Sequence, residues 1–100
     1  MVTGGYVYIM TNLTHTVLYT GVTSKLLTRV EQHRAKESLT SFTARYNVVK
    51  LVYYEGYHRI EYAIAEEKRI KGLSRAKKFA MINAMNPEWI DLFDTAEAWR

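Results

Sequence analysis

Cysteine is absent from the 100 residues, proline occurs once and glycine five times. Without thiols there is neither a disulfide framework nor a thiolate zinc site, so the fold must rest on packing, and a reducing compartment is compatible with it. The single proline, Pro87, follows Asn86 as a helix stop, and no internal repeat, low-complexity tract or linker interrupts the chain. No apolar run reaches membrane-spanning length, and Met1-Val2-Thr3-Gly4-Gly5 lacks the basic segment and long apolar run of a secretory leader. The expectation is a soluble, cytoplasmic protein with no membrane partner.

What is present is a chain with 48% hydrophobic residues, enough for one core and too little for two. A single domain over residues 1–100 is expected, with its core over about 5–93 and a partly ordered tail over 94–100. Fourteen basic residues against ten acidic ones leave a net charge of +4, a modest bias toward a polyanionic partner.

β-Branched and aromatic runs from Tyr6 to Met10 and from Val17 to Val22 flank the polar stretch Asn12-Leu13-Thr14-His15, the pattern of a β-hairpin. A four-residue loop would set Tyr8 opposite Tyr19 and Tyr6 opposite Gly21, with both tyrosines on one face. Gly21, lacking a side chain, would leave room there for a substrate backbone. From Ser24 the period turns helical, with Leu26, Leu27 and Val30 in the apolar stripe and Thr23 or Ser24 as N-cap, and the helix runs to about Lys36. Arg29 and His33 lie four apart at the edge of that stripe. Residues 37–47 read as a loop with one helical turn, and Val48 to Glu55 as a third strand. Gly56-Tyr57-His58 leads into a helix from about Arg59 to Lys71. Gly72 caps it, Ser74 opens a further helix from Arg75 to about Met85, and Trp89 to Phe93 packs back on the core.

Glu67 sits inside the apolar stripe formed by Ile60, Ala63, Ile64 and Ile70, while Glu61 and Glu66 point to the flanks. A carboxylate there needs a partner. A divalent cation is one option, and an ion pair with Lys71, four residues on in the favourable order, is the other. Tyr8 and Tyr19 read as core packing or as hydroxyls that handle a proton; Arg29 and His33 read as a solvated edge or as groups facing a phosphate. Lys68, Arg69, Lys71, Arg75, Lys77 and Lys78 crowd one helix-turn-helix segment, which is a solvated face or a set of phosphate contacts. His15 and His58 have no second ligand at metal spacing and are read as non-functional. Taken together, the tyrosines, arginine, histidine and carboxylate point to metal-assisted phosphodiester hydrolysis.

From Gly5 to Leu92 the chain resembles the GIY-YIG endonucleases, in particular their small stand-alone bacterial members. Tyr6-Val7-Tyr8 resembles the Gly-Ile-Tyr strand and Tyr19-Thr20-Gly21 the Tyr-Ile-Gly strand. Leu26, Arg29 and His33 fit the following helix, Glu67 matches the metal-binding glutamate, and Asn86-Pro87-Glu88-Trp89 with Leu92 is similar to the stand-alone group. Five elements in order across one domain are specific where each alone is weak.

The resemblance implies a mixed α/β (α+β) fold, a three-stranded antiparallel sheet flanked by helices, and an endonuclease that cleaves DNA with one Mg²⁺ or Mn²⁺ in repair, recombination or nucleic-acid processing. It implies that Tyr8 deprotonates or orients water with support from Tyr19, that Arg29 neutralises transition-state charge, that His33 assists the nucleophile and that Glu67 holds the metal. Gly21, Arg29, Lys68, Lys71, Arg75, Lys77 and Lys78 are the candidate DNA contacts, the DNA including branched or structured forms. Tyr6 stands where the family has its first glycine, Thr20 where it has isoleucine, and Val22 where its repair enzymes carry lysine, so one source of positive charge is missing. The second DNA-binding domain of larger relatives is not expected here. The alternatives are a nucleic-acid-binding module with little or no cleavage, and an interaction subunit that needs a protein partner to complete a nuclease.

Overall fold

Alternating aromatic and β-branched residues build three antiparallel strands in a computed structural model that describes residues 3–36 and 41–94. They are β1 (Gly5–Thr11), β2 (Leu18–Thr23) and β3 (Lys50–Tyr57), arranged in the order β2-β1-β3. Helices α1 (Leu26–Arg34), α2 (Ser41–Arg45), α3 (Ile60–Lys71) and α4 (Arg75–Met85) complete the fold, so the expected mixed class and three-stranded antiparallel sheet are what the chain adopts. Among the described residues no helix is long and apolar enough to cross a membrane.

The central strand is covered on both faces, which is why its apolar run is almost continuous. One face carries Tyr8 and Met10, packed with Leu26 and Val30 of α1, Val48, Leu51 and Leu92. The other carries Val7 and Ile9, packed with Val52, Tyr53, Ile70 of α3, Ile82 of α4 and Trp89. Met10 pairs with Leu51 but Ile9 pairs with Tyr53, so Val52 is an extra residue in β3. That bulge lets Leu51 face the Tyr8 side while Val52 and Tyr53 face the other.

The hairpin differs from the four-residue loop that the sequence implies. Its connection runs over residues 12–17, because the Asn12 side chain stands in for a backbone turn: Oδ1 accepts from the amides of Thr16 (2.9 Å) and Val17 (3.1 Å), and Nδ2 donates to Thr16 Oγ1 (2.7 Å). The register therefore moves by two residues. Tyr8 faces Gly21, Met10 faces Tyr19 and Tyr6 faces Thr23. A shift of two preserves the side-chain alternation, so Tyr8 and Tyr19 still share a face.

Helix α1 starts at Leu26, after the Thr23 hydroxyl has accepted the Lys25 amide (3.0 Å), and stops at Arg34, short of Lys36. The helical turn expected in residues 37–47 is α2; residues 37–40 lie outside the described residues. Strand β3 begins and ends two residues later than the Val48-to-Glu55 reading. Ser74 caps α4 by accepting the Lys77 amide (3.2 Å). The following segment docks on the outer edge of β3, where Leu92 N–H donates to Leu51 O (2.7 Å) and the Leu51 amide donates to Asp91 Oδ1 (3.3 Å). Buried Asn86 ties it down: Nδ2 donates to the carbonyls of Val52 and Ile90, and Oδ1 accepts the Ile90 amide. Residues 95–100 of the expected tail lie outside the described residues.

Candidate active site

Tyr8 is fully buried at the middle of β1, and its ring passes over its ladder partner Gly21 toward the free edge of β2. A Cβ on residue 21 would stand 2.5 Å from both Cζ and the hydroxyl oxygen of Tyr8. The space expected at Gly21 for a substrate backbone is thus filled by the Tyr8 ring. Gly21 is buried, and its missing side chain makes room for the Tyr8 ring.

Around the Tyr8 hydroxyl the fold gathers the other four predicted site residues. His33 approaches from α1 with Nε2 3.0 Å from the Tyr8 oxygen; the hydroxyl donates when Nε2 is unprotonated. Tyr19, two residues before Gly21 on β2, places its ring centroid 6.2 Å from that of Tyr8 and 5.2 Å from that of His33. Half-buried Arg29, one helical turn before His33, lowers the pKa of both Tyr8 and His33 by its charge. Glu67 comes from α3, on the other face of the sheet, yet its carboxylate is near enough to push the Tyr8 pKa up.

His33 corrects the reading of an edge position, since it is 1% exposed. The signal for its burial was in the spacing: Leu26, Val30 and His33 are the buried residues of α1 and recur at helical intervals of four and three. Burial first, and Arg29 second, lower its pKa below the ordinary histidine value, so the ring is neutral at neutral pH. Its Nδ1 has no hydrogen-bond partner among the described residues. The Tyr8 hydroxyl is driven the other way. Burial is the main cause, with the Tyr19 hydroxyl and the Glu67 carboxylate adding to it and Arg29 opposing it, and together they hold the phenol well above the ordinary tyrosine value. A free phenolate is therefore not populated at neutral pH. Tyr8 can move a proton by giving its own to His33 while accepting another.

Glu67 realises the ion pair that the sequence allowed. Its oxygen lies 3.3 Å from Lys71 Nζ, with the Glu67 side chain 15% exposed and Lys71 56% exposed. The pair joins a solvent-exposed lysine to a mostly buried carboxylate, so a cation that replaced Lys71 would have to compensate the same desolvated charge. Among the described residues no three His, Cys, Asp or Glu side chains converge as a metal cage. A single carboxylate beside substrate phosphate oxygens and waters fits an oxygen-liganded ion such as Mg²⁺ or Mn²⁺ better than it fits a histidine- or thiolate-liganded zinc centre.

The basic segment is less free than its composition implied. Arg75 donates to the Thr16 carbonyl (2.8 Å) and lies over the Phe79 ring, so it fastens the β1–β2 connection to α4. Lys71 is paired with Glu67, and Arg69 forms a forked pair with Glu66. Lys68 and Lys77 are exposed and Lys78 is half-buried, and their helices cover the face opposite Tyr8. His58 is exposed. His15, with φ of 58°, stacks on Trp89 (4.8 Å) and sits 3.0 Å from Lys50 Nζ, which makes it part of the packing of the hairpin end.

Comparison with known proteins points the same way as this geometry. Residues 4–80 match the profile of the GIY-YIG catalytic domain. The chain is 34% identical over 83 residues to a UPF0213 protein of Syntrophus aciditrophicus, covering 83% of this chain and 93% of that one. It is 38% identical over 77 residues to a UPF0213 protein of Natronomonas pharaonis, covering 77% of this chain and 88% of that one. No solved structure matches the chain.

Proposed function

The chain belongs to the GIY-YIG catalytic domain family, a family of nucleases, and from that premise we propose a DNA endonuclease dependent on Mg²⁺ or Mn²⁺, acting in repair, recombination or nucleic-acid processing. The observation that carries this reading is the convergence of His33, Tyr19, Arg29 and Glu67 on the Tyr8 hydroxyl.

Each group has a role that its surroundings support. A water molecule attacking phosphorus loses its proton to the Tyr8 oxygen as the Tyr8 hydroxyl proton passes to His33 Nε2, so no free phenolate has to accumulate. His33 is suited to receive it because burial keeps the ring neutral beforehand. The Tyr19 hydroxyl supports Tyr8 by hydrogen bonding. Arg29 holds the phosphate oxygens through the transition state, where its fixed charge gains most as negative charge builds. Glu67 would hold the divalent ion after releasing Lys71; when bound, such an ion polarises the phosphate and stabilises the leaving oxygen. Lys68, Lys77 and Lys78 supply sequence-independent attraction to DNA from outside the site.

The occupied state of Glu67 favours a second reading, a module that binds DNA with little cleavage because Lys71 holds the carboxylate. Incubation of the purified protein with flapped, branched, nicked and plain duplex DNA, with and without Mg²⁺ or Mn²⁺, separates the two. Cleavage that requires the cation and disappears in Glu67→Gln, with the fold intact by circular dichroism, is expected. DNA binding without cleavage of any substrate, unchanged by the cation, would establish the binding module instead.

A further inference from the structure

The sheet face that carries Tyr8 holds a second pair of tyrosines that the reaction above does not use. Strand alternation puts Tyr6 on the same face of β1 as Tyr8, and Tyr54 of β3 is the direct ladder partner of Tyr8. Gly56 is the ladder partner of Tyr6, and a Cβ placed there would be 3.1 Å from a Tyr6 ring carbon. The two β1 tyrosines thus lean in opposite directions, Tyr8 over Gly21 on β2 and Tyr6 over Gly56 on β3. Tyr6 and Tyr54 meet edge to face, with centroids 6.5 Å apart and ring planes at 63°. Leu26 and Val30 of α1 pack into the core with Tyr8 and Met10, whereas Tyr6 and Tyr54 pack against that core and stay half-buried.

We propose that Tyr6 and Tyr54 form a stacking shelf for an unpaired nucleobase beside the scissile phosphate, so that the favoured substrate is DNA with an unpaired nucleotide next to the cleaved bond. This inference rests on the nuclease reading above. In an intact duplex a base has both faces covered by its neighbours and has none to offer; a flap, gap or bulge frees one. Aromatic side chains hold such a face without regard to base identity, and an edge-to-face pair leaves one of its rings with a face that its partner does not use. The charge around the shelf matches that ligand. Lys25, exposed, stands two residues beyond Thr23, the β2 partner of Tyr6, and Arg29 follows one helical turn later beside Tyr8. Cations therefore flank the chain from the shelf to the reacting hydroxyl, as a nucleotide strand crossing both would need.

Two duplexes of equal length test it on the full chain without divalent ions. In one, a 2-aminopurine is unpaired at a single-nucleotide bulge; in the other it is paired. Wild-type protein is expected to alter the emission of the unpaired probe alone, and to bind that duplex about 5- to 150-fold more tightly, the span covered by stacking one base on an aromatic side chain. Tyr6→Leu and Tyr54→Leu should each remove most of that preference while leaving affinity for the paired duplex unchanged, and Tyr6→Phe should retain it. Should a leucine variant fail to fold, the wild-type emission and Tyr6→Phe still decide. Binding of both duplexes with equal affinity and unaltered emission, or a preference that survives Tyr6→Leu, overturns the shelf and leaves the nuclease reading standing. Absence of binding to either duplex, together with absence of cleavage, overturns both.

Discussion

Replacing Gly21 by alanine tests whether the position of the Tyr8 hydroxyl is set by the space that a missing side chain leaves. Gly21 has no positive φ, so alanine suits its backbone and the whole effect falls on packing. The new Cβ would lie 2.5 Å from Tyr8 Cζ and from its hydroxyl oxygen, and 2.8 Å from Cε1. Non-bonded carbon atoms settle at about 3.5–4.0 Å, so something must withdraw by about 1 Å. The strand is the poorer candidate, because every residue of β2 is paired with β1. The Tyr8 ring moves instead, and the 3.0 Å contact with His33 Nε2 stretches beyond hydrogen-bond range. Overpacking of this kind costs about 1–3 kcal/mol, with the lost hydrogen bond included within it rather than added. A domain of this size retains about 5–15 kcal/mol of stability and should stay folded. Displacing a reacting group by about 1 Å costs roughly a hundredfold in rate. Urea unfolding and single-turnover cleavage of the best substrate measure the two effects. In a Tyr8→Ala background the steric part disappears, so Gly21→Ala should then cost almost nothing in stability. Unchanged unfolding midpoint and unchanged rate in Gly21→Ala, or strictly additive costs in the double mutant, would show that Tyr8 has other room and is not held by Gly21.

Arg29→Ala should reduce turnover far more than DNA affinity, because its charge matters most when the phosphate gains charge in the transition state; replacing Lys77 and Lys78 together should do the reverse, lowering the salt slope of binding by about one per cation. Equal losses of binding and turnover in both variants would reduce Arg29 to one more surface cation. His33 should also make stability depend on acid. Its folded pKa is depressed by burial and by Arg29, with the Tyr8 and Tyr19 rings facing it from the sheet, so the unfolded chain binds the proton more readily. Stability is then complete above the unfolded value near 6.5 and declines as the pH falls through the window down to the folded value. Urea midpoints from pH 8 to 5 should fall for wild type and fall less for His33→Gln; parallel curves would remove His33 from the acid response.

Which residues share a surface was legible from alternation and helical period, because those depend only on local geometry. Tyr8 and Tyr19 share a sheet face despite a register two residues from the expected one, since an even shift leaves every side chain on its side. The same shift changed what Gly21 does. Set opposite Tyr6 it reads as room for a substrate; opposite Tyr8 it is the socket for the hydroxyl on which the site converges. What moved it was the Asn12 side chain, which stands in for a turn and draws Thr16 and Val17 into the connection, a choice made by hydrogen bonds that no periodicity records. The bulge at Val52 is of the same kind, a ladder irregularity that sends Leu51 and Tyr53 to opposite cores.

Glu67 shows the complementary case. Its spacing to Lys71 and its place in an apolar stripe each point to a partner, a lysine on the same helix or a cation from outside it. The fold satisfies the first with an ion pair at the helix surface while bringing the same carboxylate within electrostatic range of Tyr8 across the edge strand. A partner on the same helix follows from sequence distance alone. A partner 59 residues away, Tyr8, depends on how α3 packs against the sheet, which no helical spacing records. A divalent ion at Glu67 would therefore have to displace Lys71, the partner that the helix already supplies.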